Sequence, residues 1–422
     1  MLKNKDFVTI TMVNVPLSRK RDPYNFYIYN LQPYRMKKYL YLAFVFLIIS
    51  CGSLSKTYNS GSLLTEYYKE VLPFNYENNL AIIEVVINSK KYNFLVDTGA
   101  PTVISSSIYK DINVKPAHQI SVSDSQGQKD KKEVVIVPEI KLGNLTYNNI
   151  GAVVASLDDV FEFKCMKIDG IIGANQMAKS FWKFDYQNHE ITITEQLSNY
   201  DLSSYKDTLS FTTSMQKTPY VKGTINGLTT SFTYDTGFTG HIDVSKKLAD
   251  FPDAVGITRL GNSSVGLYDA IDSVSTRTVK MDSVKIGAID MKTQIIDLDH
   301  GSLIGNKFMN KHDVIMDWSS QKIYLKKVKE YQDTQETSFG FNFRIKDNKA
   351  IVTGLIEELP IELELGDQLL SINDFDFRDI NKDNACEKWN NYNITELDTV
   401  NITYQRDSVE YKITLLRKEL FK

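Results

Sequence analysis

Phe94-Leu95-Val96-Asp97-Thr98-Gly99-Ala100 has a twin in the same chain, Phe232-Thr233-Tyr234-Asp235-Thr236-Gly237-Phe238. In each copy an apolar, β-branched or aromatic run has the composition of a buried strand, and a glycine stands where that strand must turn. Each aspartate is therefore expected on a tight, buried loop. The surroundings repeat too. Ile87 and Ile225, each followed by an asparagine, stand ten residues before the two aspartates. Downstream, Ile140-Lys141-Leu142-Gly143 answers to Val284-Lys285-Ile286-Gly287, and Ile171-Ile172-Gly173 answers to Leu303-Ile304-Gly305. Twelve residues beyond each of those last glycines comes a further aspartate, Asp185 and Asp317. Chance supplies one Asp-Thr-Gly readily, but not a whole set of ordered landmarks twice, so the chain carries an internal duplication.

Over roughly residues 78 to 327 these motifs resemble the aspartic proteases of the pepsin and retropepsin type. In that family each lobe carries a hydrophobic-hydrophobic-Asp-Thr-Gly loop, with a later hydrophobic-hydrophobic-Gly segment packed beside it. The resemblance implies a mainly β, bilobal double β-barrel with a cleft between the lobes. Lobe 1 would be residues 78–195, and lobe 2 with the inter-lobe linker residues 196–327. It implies that Asp97 and Asp235 are catalytic and act on polypeptide without cofactor or metal. Thr98 and Thr236 would hydrogen-bond across the lobes, while Gly99 and Gly237 let backbone N–H groups approach the carboxylates with no Cβ in the way. One chain supplies both halves, so a monomer is expected rather than half of a homodimer.

Smaller expectations follow. Asp185 and Asp317 are taken as turn or strand-start residues, Trp182, Phe184 and Trp318 as core, and His241 as a solvated loop histidine. Residues 119–137 form a candidate flap hairpin with a polar tip at 123–132, for which a plain solvated hairpin is the alternative. A second candidate lid runs from Leu260 to Ala270, with Gly261, Gly266 and Tyr268.

Composition bounds the rest. A chain of 422 residues has room for two or three domains with full cores. A net charge of −3 gives no reason to propose nucleic acid as a partner. With 24 Tyr and 21 Phe the aromatic content suits a β-rich protein. Five scattered histidines, with no His-Glu-x-x-His and no Cys-x-x-Cys, argue against a metal site. The absence of Gly-x-Ser-x-Gly leaves a serine hydrolase unsupported. Cys51, Cys165 and Cys386 are too few and too far apart to imply a disulfide framework.

Near the start, Met36-Lys37-Lys38 and the apolar run 39–49 have the charged-then-apolar order of an export signal, too short to span a bilayer. Ile48-Ile49-Ser50-Cys51-Gly52 resembles a bacterial lipoprotein cleavage box. By that resemblance residues 1–51 are an N-terminal extension plus lipoprotein signal peptide, with Met36 as the start codon. Cys51 would be the lipidated residue that ties the protein to a membrane of the cell envelope, on its extracytoplasmic side. The alternative is an ordinary cysteine after a plain signal peptide. Residues 52–77 are expected to be a polar tether with one short helix around 63–71.

From about Ser338 the duplication stops. Ser338-Phe339-Gly340-Phe341, Ala350-Ile351-Val352 and Leu365-Gly366-Asp367-Gln368-Leu369-Leu370-Ser371-Ile372-Asn373 resemble a PDZ domain over residues 338–422, a small α+β module. The resemblance implies that Phe339, Gly340 and Phe341 capture a peptide carboxylate, the peptide adding a strand beside the one after Phe341. An unrelated β-rich tail is the alternative. Two function classes stand: a membrane-tethered aspartic endopeptidase, and a catalytically inactive peptide-binding envelope lipoprotein with protease-like lobes as scaffold. Intact Asp-Thr-Gly in both lobes favours the first.

Overall fold

The computed structural model describes residues 53–123, 129–261, 275–331, 336–394 and 396–421. The protein is mainly β, its strands gathered into barrel-like sheets. Its centre is an antiparallel sheet in the order Lys69–Pro73, Glu190–Thr194, Phe181–Asp185, His312–Asp317, Lys322–Lys327, Asp207–Thr213. The two halves of the duplication meet in the middle of it, where Trp182 lies opposite Met316. Trp182, Phe184, Met316 and Trp318 are buried, so this seam is also the core.

Asp185 and Asp317 end their strands rather than start them. Each accepts from the turn that follows, Asp185 from the Asn188 amide at 3.0 Å and Asp317 from the Ser320 amide at 2.9 Å. They cap hairpins, a common use of a short carboxylate.

Each lobe hangs from this sheet by a matching pair of hairpins. Lobe 1 has Leu80–Ile87 with Lys90–Asp97, and lobe 2 has Pro219–Ile225 with Leu228–Tyr234. The isoleucine-asparagine landmark now has a cause. Asn88 and Asn226 open the two-residue turns with φ of 50° and 44°, a left-handed conformation that asparagine tolerates. Longer hairpins follow, Lys129–Leu142 with Leu145–Ala155 and Thr276–Ile286 with Ile289–Asp299.

Three expectations are corrected here. Within the expected tether 52–77, the described residues 53–77 are folded against the rest of the chain. Residues 53–58 are helical, with Tyr58 buried and Thr57 Oγ1 2.9 Å from His118 Nε2. The helix expected around 63–71 is replaced by strands Ser62–Leu63 and Lys69–Pro73, the second forming an edge of the central sheet. Lys69–Pro73 exposes alternate residues, so it shows polar composition while still pairing. His241 is not solvated either: it is buried, with Nε2 3.0 Å from Gln294 Oε1.

The third correction concerns the cysteines. Cys165 and Cys386 form a disulfide across 221 residues of sequence. It joins the lobe 1 helix Phe161–Cys165 to the C-terminal helix Ala385–Asn391. Around it Phe161 meets Trp389 edge-on at 6.2 Å, and Arg344 grips Glu162 with two hydrogen bonds of 2.9 and 2.8 Å. The C-terminal module has its own core, centred on Val352, Leu369, Ile402 and Tyr404. Its strands run in the order Phe341–Lys346, Lys349–Ile356, Gln368–Ile372, Thr399–Arg406, Val409–Leu416. Asp367 of the Gly-Asp segment is buried and takes two 2.7 Å hydrogen bonds from Arg406, so its role is to hold that turn.

Lobe 2 reaches the same module differently, through strand Gly256–Gly261 pairing with Lys349–Ile356. Gly261 has φ +83°, and a Cβ there would lie 2.1 Å from the Thr353 carbonyl oxygen. It is therefore a packing glycine at the module contact. The rest of the second candidate lid, with Gly266 and Tyr268, lies outside the described residues, as do residues 124–128 of the candidate flap. The flanks of that flap, His118–Ser123 and Lys129–Leu142, do pair as a hairpin.

Candidate functional site

Each Asp-Thr-Gly loop is carried at the end of a strand that a later segment flanks in parallel. In lobe 1, Gly170–Gly173 runs beside the Asp97 strand with Gly173 opposite Asp97. In lobe 2, Leu303–Ile304 runs beside Leu228–Tyr234, and the Asp235 amide donates to Ile304 O at 2.9 Å. The small residue at 173 is required, because a Cβ there would sit 2.0 Å from the Pro101 carbonyl carbon.

The loops meet across the lobes. The Thr98 amide donates to Thr236 Oγ1 and the Thr236 amide to Thr98 Oγ1, both at 3.0 Å. The hydroxyls then donate onward, Thr98 to Tyr234 O at 2.5 Å and Thr236 to Val96 O at 2.8 Å. Both threonines are buried, so this closed set of four bonds leaves no polar group of the grip unpaired. Each glycine lies against the opposite aspartate. A Cβ at Gly99 would be 2.5 Å from the Asp235 carboxyl carbon, and one at Gly237 would be 2.4 Å from that of Asp97. Any other residue at either position would push the two carboxyls apart.

Asp97 Oδ1 accepts from the amides of Gly99 and Ala100 at 2.7 and 3.0 Å; Asp235 Oδ1 accepts from Gly237 at 2.8 Å. Burial raises the pKa of Asp97 above the usual carboxylate value, opposed by its hydrogen bond with Asp235 and by those two amides. Burial also raises Asp235, well above the usual value, and the neighbouring Asp97 charge and hydrogen bond raise it further. The pair titrates as a unit, with one proton held between the two carboxyls.

Sequence reasoning missed the residues that brace these loops. Asn175 is buried and holds Thr102 through its amide at 2.7 Å, while its own Nδ2 donates to Tyr58 O and Gly151 O, both at 2.8 Å. Asn306 Nδ2 donates to Thr236 O at 2.6 Å, and its Oδ1 accepts from Tyr186 Oη at 2.9 Å. Thr218 Oγ1 donates to Gly99 O at 3.2 Å, tying lobe 2 to the lobe 1 loop. A signal was present for the asparagines, which follow the landmark glycines at 173 and 305. Their offsets differ by one residue, which hides the match.

Residues 83–175 match the aspartyl protease family model. The matched stretch contains Asp97, its loop and the flanking Ile171-Ile172-Gly173, and it supports an aspartyl protease family. Among solved structures, the crystal structure of Basic 7S globulin from soybean aligns with a TM-score of 0.38 and 12% identity, over 63% of this chain and 96% of that one. No curated protein sequence matches the chain. The aspartyl protease match ends before lobe 2, so Asp235 rests on the duplication and on the geometry described above.

The other expected binding residues sit apart from this pair. Phe339 and Phe341 are largely buried, and Gly340 has φ +93° with its amide donating to Ser338 Oγ at 3.0 Å. The Arg417 guanidinium stacks 4.6 Å from the centre of the Phe339 ring. Beside them runs a groove of about 670 Å³ between Phe341, Phe343 and the Trp389–Ile394 side, into which lobe 1 projects Glu77 and Asn78. Cys51 lies outside the described residues, and no helix of the described residues is long and apolar enough to cross a membrane.

Proposed function

We propose that this protein is an aspartic-type endopeptidase that hydrolyses peptide bonds of extended polypeptides with a water activated between Asp97 and Asp235. The observation that carries this reading is the reciprocal approach of the two carboxyls, each lying against the other loop's glycine. Two carboxyls so close hold one proton between them, the known behaviour of aspartic protease dyads. Asp97, held ionised by two amides, takes a proton from water as the oxygen attacks the scissile carbonyl. Asp235 donates its proton to the carbonyl oxygen, giving a neutral tetrahedral diol. The proton taken up by Asp97 then passes to the leaving nitrogen as the C–N bond breaks, and the diol's proton returns to Asp235. No covalent intermediate forms, and the chemistry calls for no cofactor.

The C-terminal module is read as PDZ-like. Its groove between strand Phe341–Lys346 and helix Ala385–Asn391 supports capture of a peptide C-terminus by β-strand addition, with Phe339, Gly340 and Phe341 at the carboxylate end. In this reading the protein works as a monomer in the cell envelope, extracytoplasmic and lipid-anchored at Cys51, as the lipoprotein-like box at 48–52 suggests. A disulfide supports an oxidising compartment. The test is degradation of an unfolded protein from acid to neutral pH, with and without a statine-type inhibitor, comparing wild type with Asp97→Asn and Asp235→Asn. Loss of cleavage in both variants is expected; cleavage that survives in either one would leave the lobes as a scaffold for peptide binding.

A further inference from the structure

The groove of the C-terminal module is not walled by that module alone. The lobe 1 turn after strand Asn75–Glu77 enters it, with Asn78 and Asn79 at φ of 50° and 62°. Glu77 is exposed, and among the described residues its carboxylate is met by the Asn75 side-chain amide and by no cation. Every other residue lining the groove is neutral, and half of them are aromatic: Phe341, Phe343, Trp389 and Tyr392. The placement is rigid. The Cys165–Cys386 disulfide and the Glu162–Arg344 pair fix the groove's helix and strand to lobe 1, and Asn79 Nδ2 also reaches Thr239 O at 3.4 Å, just past the Asp235 loop.

We propose that the protease half reads the peptide held by the C-terminal module: Glu77 selects a peptide with a lysine or arginine just upstream of an apolar C-terminal residue. This rests on the peptide-binding reading of the groove. A cation entering beside Glu77 is attracted in a half-dry, aromatic-walled space, and the ring faces of Trp389 and Tyr392 add to that attraction. An acidic residue at the same place meets like charge and is rejected. The module then supplies the apolar pocket and the carboxylate end, while lobe 1 supplies the charge filter.

The experiment uses the full-length chain and fluorescein-labelled octapeptides ending in a free-acid valine, with lysine, glutamine or glutamate placed in turn at each of the three preceding positions. Binding is followed by fluorescence anisotropy. At one of these positions the lysine peptide should bind about tenfold more tightly than the glutamate peptide. That preference should shrink as salt is raised, vanish in Glu77→Gln and invert in Glu77→Lys. An unchanged lysine preference in Glu77→Gln removes Glu77 from the recognition and leaves the groove reading standing. If no peptide binds, or C-terminally amidated peptides bind as well as free acids, the groove reading itself fails and the Glu77 assignment with it.

Discussion

Lobe 1 and lobe 2 present their aspartates on loops of the same Asp-Thr-Gly sequence, yet hold the two carboxyls differently. Asp97 Oδ1 accepts from the amides of Gly99 and Ala100, whereas Asp235 Oδ1 accepts from Gly237, with the Gly99 amide as a further contact, while the Phe238 amide turns to the Asp235 main-chain oxygen at 3.2 Å. The residue after the glycine makes the difference. Ala100 is small, while the Phe238 ring lies over Gly240 and Gly305, where added Cβ atoms would fall 2.2 and 2.5 Å from it. The Gly99 amide serves both carboxyls, so what separates them is the amide after the glycine, which faces the carboxylate at Ala100 and not at Phe238. Duplication thus built the pair, and divergence just outside the motif polarised it.

The largest effect should come from breaking the pair itself. Asp97→Asn removes the base and Asp235→Asn the acid, and each is expected to lower kcat by about 10³-fold or more while leaving the fold intact. The pH profile sharpens the comparison. Both carboxyls are raised, so the acid limb, where Asp97 takes up its proton, should lie above the ordinary carboxylate value of about 3.9. The alkaline limb, where Asp235 loses its proton, should lie higher still. Phe238→Ala, imitating lobe 1, should free the amide at 238 for the carboxylate and draw the alkaline limb downward. An alkaline limb that does not move would break the assignment of the proton to Asp235.

Next in size is an asymmetry of attachment. Lobe 1 is bound to the C-terminal module by a disulfide, and lobe 2 by strand pairing, a shared cluster of Ile257, Ile295, Ile356 and Phe421, and the Thr258 amide donating to Glu358. A link closing a loop of more than 200 residues falls at the upper end of disulfide stabilisation, about 4 kcal/mol. Denaturant unfolding of Cys165→Ser with Cys386→Ser should show that loss, and reductant should produce it in wild type. Where the lobes are alike, the effects should be alike. Thr98→Val and Thr236→Val each leave a buried amide and a buried carbonyl of the opposite lobe without their partner, at about 2 kcal/mol apiece. The double variant should cost less than the sum, since the four bonds form one closed set.

How far the sequence revealed this molecule follows the same division. The strands that carry the aspartates, the parallel glycine segments beside them and the threonine grip were legible, because burial demands continuous apolar runs and the tight turns demand glycine. Lys69–Pro73 was not. As an edge strand exposed at alternate residues it carries no apolar run, and its partner lies more than a hundred residues downstream. The disulfide was hidden for a related reason, since Cys165 and Cys386 become neighbours only after the module docks. His241 had the composition of a loop and was buried by packing from Gln294 and Phe308.

The smallest expected effect concerns positions that are apolar in lobe 1 and acidic in lobe 2. Val103 lies opposite Ile171 and beside Val153, and Ala155 follows two residues later; the matching places hold Asp243, opposite Leu303 and beside Asp297, with Asp299 after it. Among the described residues no acidic group has the arrangement to hold a metal ion. Asp243 is buried with Oδ1 unpaired, and burial first, then the charges of Asp297 and Asp299, raises its pKa well above the usual value. The folded state therefore binds a proton that the unfolded chain releases near pH 4. From that pH up to the folded value, stability falls as pH rises. Asp243→Asn, which cannot ionise, should escape this slope, gaining about 1–2 kcal/mol over wild type near pH 7 and almost nothing at pH 4. Thermal or urea unfolding at the two pH values reads the difference directly. An equal effect at both would mean that Asp243 shapes lobe 2 through its packing rather than through its charge.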